Sequence, residues 1–146
     1  LTISDNLGGN GLEHHRSSED GTGRGYFTEW DSKLRDRNLL PHEFTHSWDG
    51  KFRRPELLWT PDYRTPMQNN LLWVYEGQTQ FWGYVLGARS GLMPVEDVLQ
   101  ELARTAAYYA AQPGRSWRPL IDTTNDPILQ GRRPAPWGSG MRSEDY

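Results

Sequence analysis

The chain has 146 residues, the size of one domain with a single core. Its 35% hydrophobic content, mean hydropathy of -0.84, ten prolines and fifteen glycines describe a loop-rich piece, yet seven Trp and seven Tyr exceed what a disordered chain carries. A net charge of -3 gives no general attraction to nucleic-acid phosphates or anionic membranes, and the absence of cysteine excludes disulfides and thiolate metal sites.

In chain order, Leu1 to Ile3 reads as the end of a strand, broken by Asp5-Asn6 and by Gly8, Gly9 and Gly11. Residues 17–25 read as a polar, glycine-rich loop. Residues 30–47 read as mostly helical, with Pro41 starting or kinking the part that carries His42. Pro55, Pro61 and Pro66 make residues 50–66 an irregular connection. A long helix is expected from Asn69 or Asn70 as N-cap towards Ser90, stopping at Gly91, with Leu72, Tyr75, Thr79, Trp82 and Leu86 on one face. Pro94 opens another, whose apolar side holds Val95, Val98, Leu99, Leu102, Ala106 and Tyr109 and which ends at Pro113-Gly114. Residues 113–146 carry five prolines and read as loop. No stretch approaches the ~20 apolar residues of a membrane span.

The segment richest in chemistry is Pro41-His42-Glu43-Phe44-Thr45-His46-Ser47-Trp48. On a helix, residues four apart project from the same face one turn apart, so His42 and His46 can reach one zinc ion. Glu43 then sits beside them to take a proton from a water. With four histidines in the chain, this pattern arises by chance on the order of once in 150 such sequences. The plainer alternative is that both imidazoles only cap or hydrogen-bond locally. A catalytic zinc takes three protein ligands and leaves one position for water. Glu76, an acid within the aromatic helix Trp73 to Trp82, is the candidate third ligand, because an unpaired carboxylate there would be costly. A wet helix face is the alternative for Glu76. Asp49 and Gln80 could accept the second N–H of each imidazole, or could simply be solvated. His14 and His15 are adjacent and would point to opposite sides of a strand, so they do not serve one metal together.

Three motifs in order carry a resemblance: Gly11-Leu12-Glu13-His14-x-x-Ser17, His42-Glu43-x-x-His46-x-Trp48 followed by Arg53-Arg54-Pro55, and Trp73-x-x-Glu76-Gly77-x-Thr79. Together they resemble the glycyl aminopeptidase family of zinc metallopeptidases over about residues 1–90, with Trp117-Arg118-Pro119-Leu120 and Ser143-Glu144-Asp145-Tyr146 as looser points beyond. The resemblance implies a mainly α fold, a fragment of a thermolysin-like (gluzincin) catalytic domain with a short β region at the N-terminus. It implies zinc on His42, His46 and Glu76, Glu43 as general base, and Glu13 as the grip on the substrate's free α-amino group. A transition-state tyrosine would lie in a Tyr-Tyr-x-x-Gly stretch, which here is either Tyr146 or the residue after it. Asp49 stands where the family commonly has Asn, and Phe81 where Tyr is frequent.

The expected activity is zinc-dependent removal of N-terminal residues, small ones such as Gly or Ala, from peptides with a free N-terminus, without nucleic-acid partners. A zinc endopeptidase on the same site, or a catalytically silent zinc-containing binding module, are the alternatives. Residues 1–146 are expected to be a truncated catalytic domain, with a β-rich domain upstream and further helices and a PDZ domain downstream. The chain begins without Met or a targeting segment, which leaves cytoplasm and periplasm equally open.

Overall fold

The computed structural model describes residues 1–112, 116, 117 and 119–123. It opens with a three-stranded sheet of β1 (Thr2–Ser4), β2 (Gly11–His14) and β3 (Ser17–Gly21), in the order β1-β3-β2. β3 runs parallel to β1 and antiparallel to β2, with Gly11 opposite Asp20 and Glu13 opposite Ser18. Residues 17–25 are therefore not simply a loop: their first five residues form the central strand. Ser17-Ser18-Glu19-Asp20-Gly21 has no β-branched or aromatic side chain to announce a strand. Two pairing partners make it one.

Trp30–Asn38 forms a 3-10 helix interrupted at Lys33, and it passes directly into α1, Leu39–Thr45. Pro41 sits in the first turn of α1, where the missing N–H has no intrahelical partner to lose. The helix thus starts two residues earlier than proline alone suggests. A connection with one 3-10 turn at Glu56–Leu58 leads to α2, Leu72–Arg89. Neither Asn69 nor Asn70 caps it; the residue before the helix is Leu71, which makes no side-chain cap. Gly91, with φ of 79°, follows its end, in the left-handed region that favours glycine. α3 spans Val95–Ala110 after Pro94.

The core is small. Tyr26, Leu58, Tyr75, Met93 and Val98 are its buried apolar residues, whereas Trp82, Val95 and Leu99, expected inside, are exposed. Packing between α1 and α2 instead uses a narrow stripe on α2 of Tyr75, Thr79, Gly83 and Gly87. A Cβ on Gly83 would lie 3.2 Å from the Cα and backbone nitrogen of His42, so the glycine lets the two helices approach closely. Among the described residues, no helix is long and apolar enough to cross a membrane. The observed mix, mostly helix with one small sheet, agrees with the mainly α expectation.

Candidate metal centre

α1 presents His42 and His46 one turn apart towards α2, and α2 returns Glu76. His42 Nε2 and His46 Nε2 lie 3.2 Å apart. Glu76 Oε2 is 3.2 Å from the first and 3.4 Å from the second. Glu76 thus faces the two imidazoles, with its side chain 20% exposed.

The outward nitrogens explain how both rings are aimed. His46 Nδ1 is 2.8 Å from the carbonyl oxygen of Asp49, which can only accept, so Nδ1 carries a proton. His42 Nδ1 is 2.7 Å from Gln80 Oε1 and donates to it. Gln80 therefore does what its position one turn beyond Glu76 suggested. Asp49 does so through its backbone, while its carboxylate accepts from the Thr79 hydroxyl at 3.3 Å. Burial raises the Asp49 carboxyl above its usual range despite that bond. The single proton of the fully buried Thr79 hydroxyl is shared between that carboxylate and the closer Tyr75 carbonyl, at 2.6 Å.

With both Nδ1 atoms protonated, two imidazole lone pairs and a carboxylate oxygen converge on one point. Such acceptors repel one another unless a cation sits among them. Burial alone would raise Glu76, but its hydrogen bonds and charge interactions with His42 and His46 outweigh it and bring the carboxyl to about 2. Burial likewise lowers His46, and the bonds to Glu76 and the Asp49 carbonyl overcome it, leaving the ring above its ordinary value. A proton and a metal ion thus compete for the same place. In a tetrahedron with bonds of ~2.0–2.1 Å, ligand atoms lie about 3.3–3.4 Å apart. The observed spacings of 3.2 to 3.4 Å fit that geometry.

Glu43 borders the triangle, with Oε1 4.0 Å from His42 Nε2. It is 4% exposed, and its Oε2 is buried without a hydrogen-bond partner. Burial, only partly offset by the two histidines, pushes its carboxyl up to about 6. The backbone of Gly11 closes over it: a Cβ there would fall 1.8 Å from Glu43 Oε1. Two residues along β2, Glu13 brings a carboxylate into the same cluster, within 4.8 Å of ligand atoms on Glu43 and His46. The Tyr75 hydroxyl donates to Glu13 Oε1. Burial, then the bond to Glu13, raises the Tyr75 phenol well above its usual value, so it stays a donor. Its ring stacks on His46 at 4.8 Å between centroids.

His14 turns away from this cluster, its Nε2 3.2 Å from Glu19 on the neighbouring strand. Tyr146 and the Ser143 to Tyr146 stretch lie outside the described residues. Sequence reasoning missed Tyr75, Thr79 and Gly11 as builders of the site. An i,i+4 pair of Tyr75 and Thr79 flanking the acid was the available signal for the first two; Gly11 opens the first motif, but nothing in that motif says that its backbone covers Glu43.

A family profile described as M61 glycyl aminopeptidase matches residues 35–146. None of the curated proteins compared matches the chain. The matched region takes in α1, α2 and α3 and leaves out residues 1–34, so Glu13 stands on geometry. Because the profile covers well over half of the chain and both helices of the triangle, the chain belongs to the M61 glycyl aminopeptidases, a family of peptidases.

Proposed function

We propose that this peptidase is a zinc-dependent aminopeptidase that removes small N-terminal residues such as Gly or Ala, with His42, His46 and Glu76 holding the metal. The observation that carries the proposal is the convergence of three acceptor atoms at 3.2 to 3.4 Å beside the buried carboxylate of Glu43. Zinc in such a site supplies Lewis acidity to the scissile carbonyl and lowers the pKa of a water towards ~7. Glu43 accepts the proton of the attacking water and delivers it to the leaving amine. Glu13 holds the substrate's ammonium and so fixes which peptide bond reaches the reacting centre.

A silent zinc module would have no need of a carboxylate buried beside the metal, because structural zinc sites fill all four positions with protein ligands. An endopeptidase would use the same triangle and differ only in not requiring Glu13. Metal content by elemental analysis tests the ligand set: near-stoichiometric zinc in the chain, lost in His46→Ala and in Glu76→Ala, is expected. Zinc retained in Glu76→Ala would remove Glu76 from it. Glu43→Gln should keep zinc and lose hydrolysis. Equal cleavage of a peptide and its N-acetylated form would sink the aminopeptidase reading.

A further inference from the structure

The Tyr75 side chain links α2 to the imidazole of His46 and to the sheet. Its ring stacks on His46, with 29° between planes, and its hydroxyl reaches across to Glu13 on β2. Behind the ring, Gly50 leaves no room for a side chain: a Cβ there would lie 2.6 Å from the ring and hydroxyl. The Tyr75 carbonyl accepts from Thr79, which also holds the Asp49 carboxylate. Asp49 in turn fixes His46 through its carbonyl. One aromatic ring is thus clamped between a metal-site imidazole and a turn, and its polar end is spent on a carboxylate from a separate element.

We propose that Tyr75 is a positioning residue that sets the exopeptidase register, holding Glu13 at a fixed offset from the His42, His46 and Glu76 triangle. This rests on the reading of Glu13 as the ammonium grip. Glu13 lies on the edge strand β2, and the phenol is the hydrogen bond that ties its carboxylate to α2. With Oε1 taken by the phenol, Oε2 is left to receive the ammonium. The chain's amino terminus is then held one residue from the reacting centre. Substrates are therefore chosen by a free, protonated N-terminus at a set distance, and a blocked or longer-reaching amine meets a carboxylate that does not move to follow it.

The test uses the full chain loaded with zinc and four forms: wild type, Tyr75→Phe, Glu13→Gln and the double variant. Tyr75→Phe keeps the ring and its stacking and removes only the hydroxyl. The first readout is calorimetric affinity for glycinamide against N-acetylglycinamide. The second is kcat and KM for a glycyl dipeptide amide. Tyr75→Phe should keep its zinc and weaken glycinamide about 10-fold, the scale of a hydrogen bond to a charged group. The change should appear in KM more than in kcat. In the Glu13→Gln background the same substitution should change affinity less than 2-fold. If Glu13→Gln weakens glycinamide and Tyr75→Phe does not, the positioning role is overturned while the ammonium grip stands. If Glu13→Gln leaves glycinamide untouched, both fall. A Tyr75→Phe effect of equal size in both backgrounds, or one shared by the acetylated probe, would reduce Tyr75 to general packing and overturn the proposal.

Discussion

Gly11→Ala separates the fold from the chemistry. The added methyl would sit 1.8 Å from Glu43 Oε1, 2.5 Å from its Cδ and 2.9 Å from Leu39 Cδ1. All three atoms are outer parts of flexible side chains, so the strand and α1 need not separate. The Glu43 carboxyl must retreat by about 1.6 Å to reach ordinary contact, and a displacement of ~1 Å at a reacting group can cost on the order of 100-fold. The expected result is a fall in kcat of about 100-fold with zinc stoichiometry unchanged. Side-chain crowding should cost ~1 kcal/mol, or about 2–4 °C of midpoint. Turnover on glycyl 4-nitroanilide, metal analysis and a thermal melt on the same preparation provide the comparison. In a Glu43→Gln background the methyl should have little left to remove. Wild-type turnover in Gly11→Ala would refute the assignment of Glu43, as it sits here, to proton transfer.

Gly50 has φ of 129° and faces the Tyr75 ring, which cannot swing aside; Gly50→Ala should lose ~2–4 kcal/mol in urea melts, and a loss below ~1 kcal/mol would contradict the packing. Gln80→Leu removes the acceptor that orients His42, so zinc affinity measured against a competing chelator should weaken ~10- to 100-fold. Burial raises the Asp20 carboxyl above its unfolded value, so folding is penalised as pH rises through and above ~3.9 and not below it. Asp20→Asn should therefore compare more favourably with wild type at pH 7 than at pH 3.5, and a pH-independent difference would contradict this. Stripping zinc held at ~100 times its dissociation constant should remove ~2.7 kcal/mol and lower the thermal midpoint by about 5–10 °C; an unchanged midpoint would show that the folded chain does not bind the ion.

The parts of the site legible in the sequence are those whose geometry is local. His42 and His46 are one helical turn apart, and so are Glu76 and Gln80, so a helix alone fixes each pair. Glu76 was further marked by its aromatic neighbours. Gly11 and Gly50 acquire their roles only when α1, α2 and β2 meet, and the i,i+4 spacing of Tyr75 and Thr79 puts them on one face of α2 without saying what that face meets. The aromatic content spoke against disorder, but not for burial: among the described residues Trp48, Phe52, Trp59 and Trp82 all lie exposed. Hydrophobic periodicity identified the helices α2 and α3 and placed Tyr75, Thr79 and Val98 on their buried sides, but on α2 it pointed to Trp82 where the close approach is made by Gly83 and Gly87, which carry no hydrophobic signal.

Charge accounts for why these residues stay together. Glu13, Glu43 and Glu76 set three carboxyl groups around two imidazoles, and among the described residues no Lys or Arg forms an ion pair with any of them. A buried carboxylate without a cationic partner opposes folding, and burial pushes Glu43 towards protonation. In the proposed reaction the missing positive charge comes from outside. Zinc balances Glu76 and the imidazole lone pairs, and the substrate's ammonium balances Glu13. An internal peptide segment brings no charge to Glu13, whereas a free amino terminus does. Under the proposed function, that difference in charge is what would favour removal of N-terminal residues over internal cleavage.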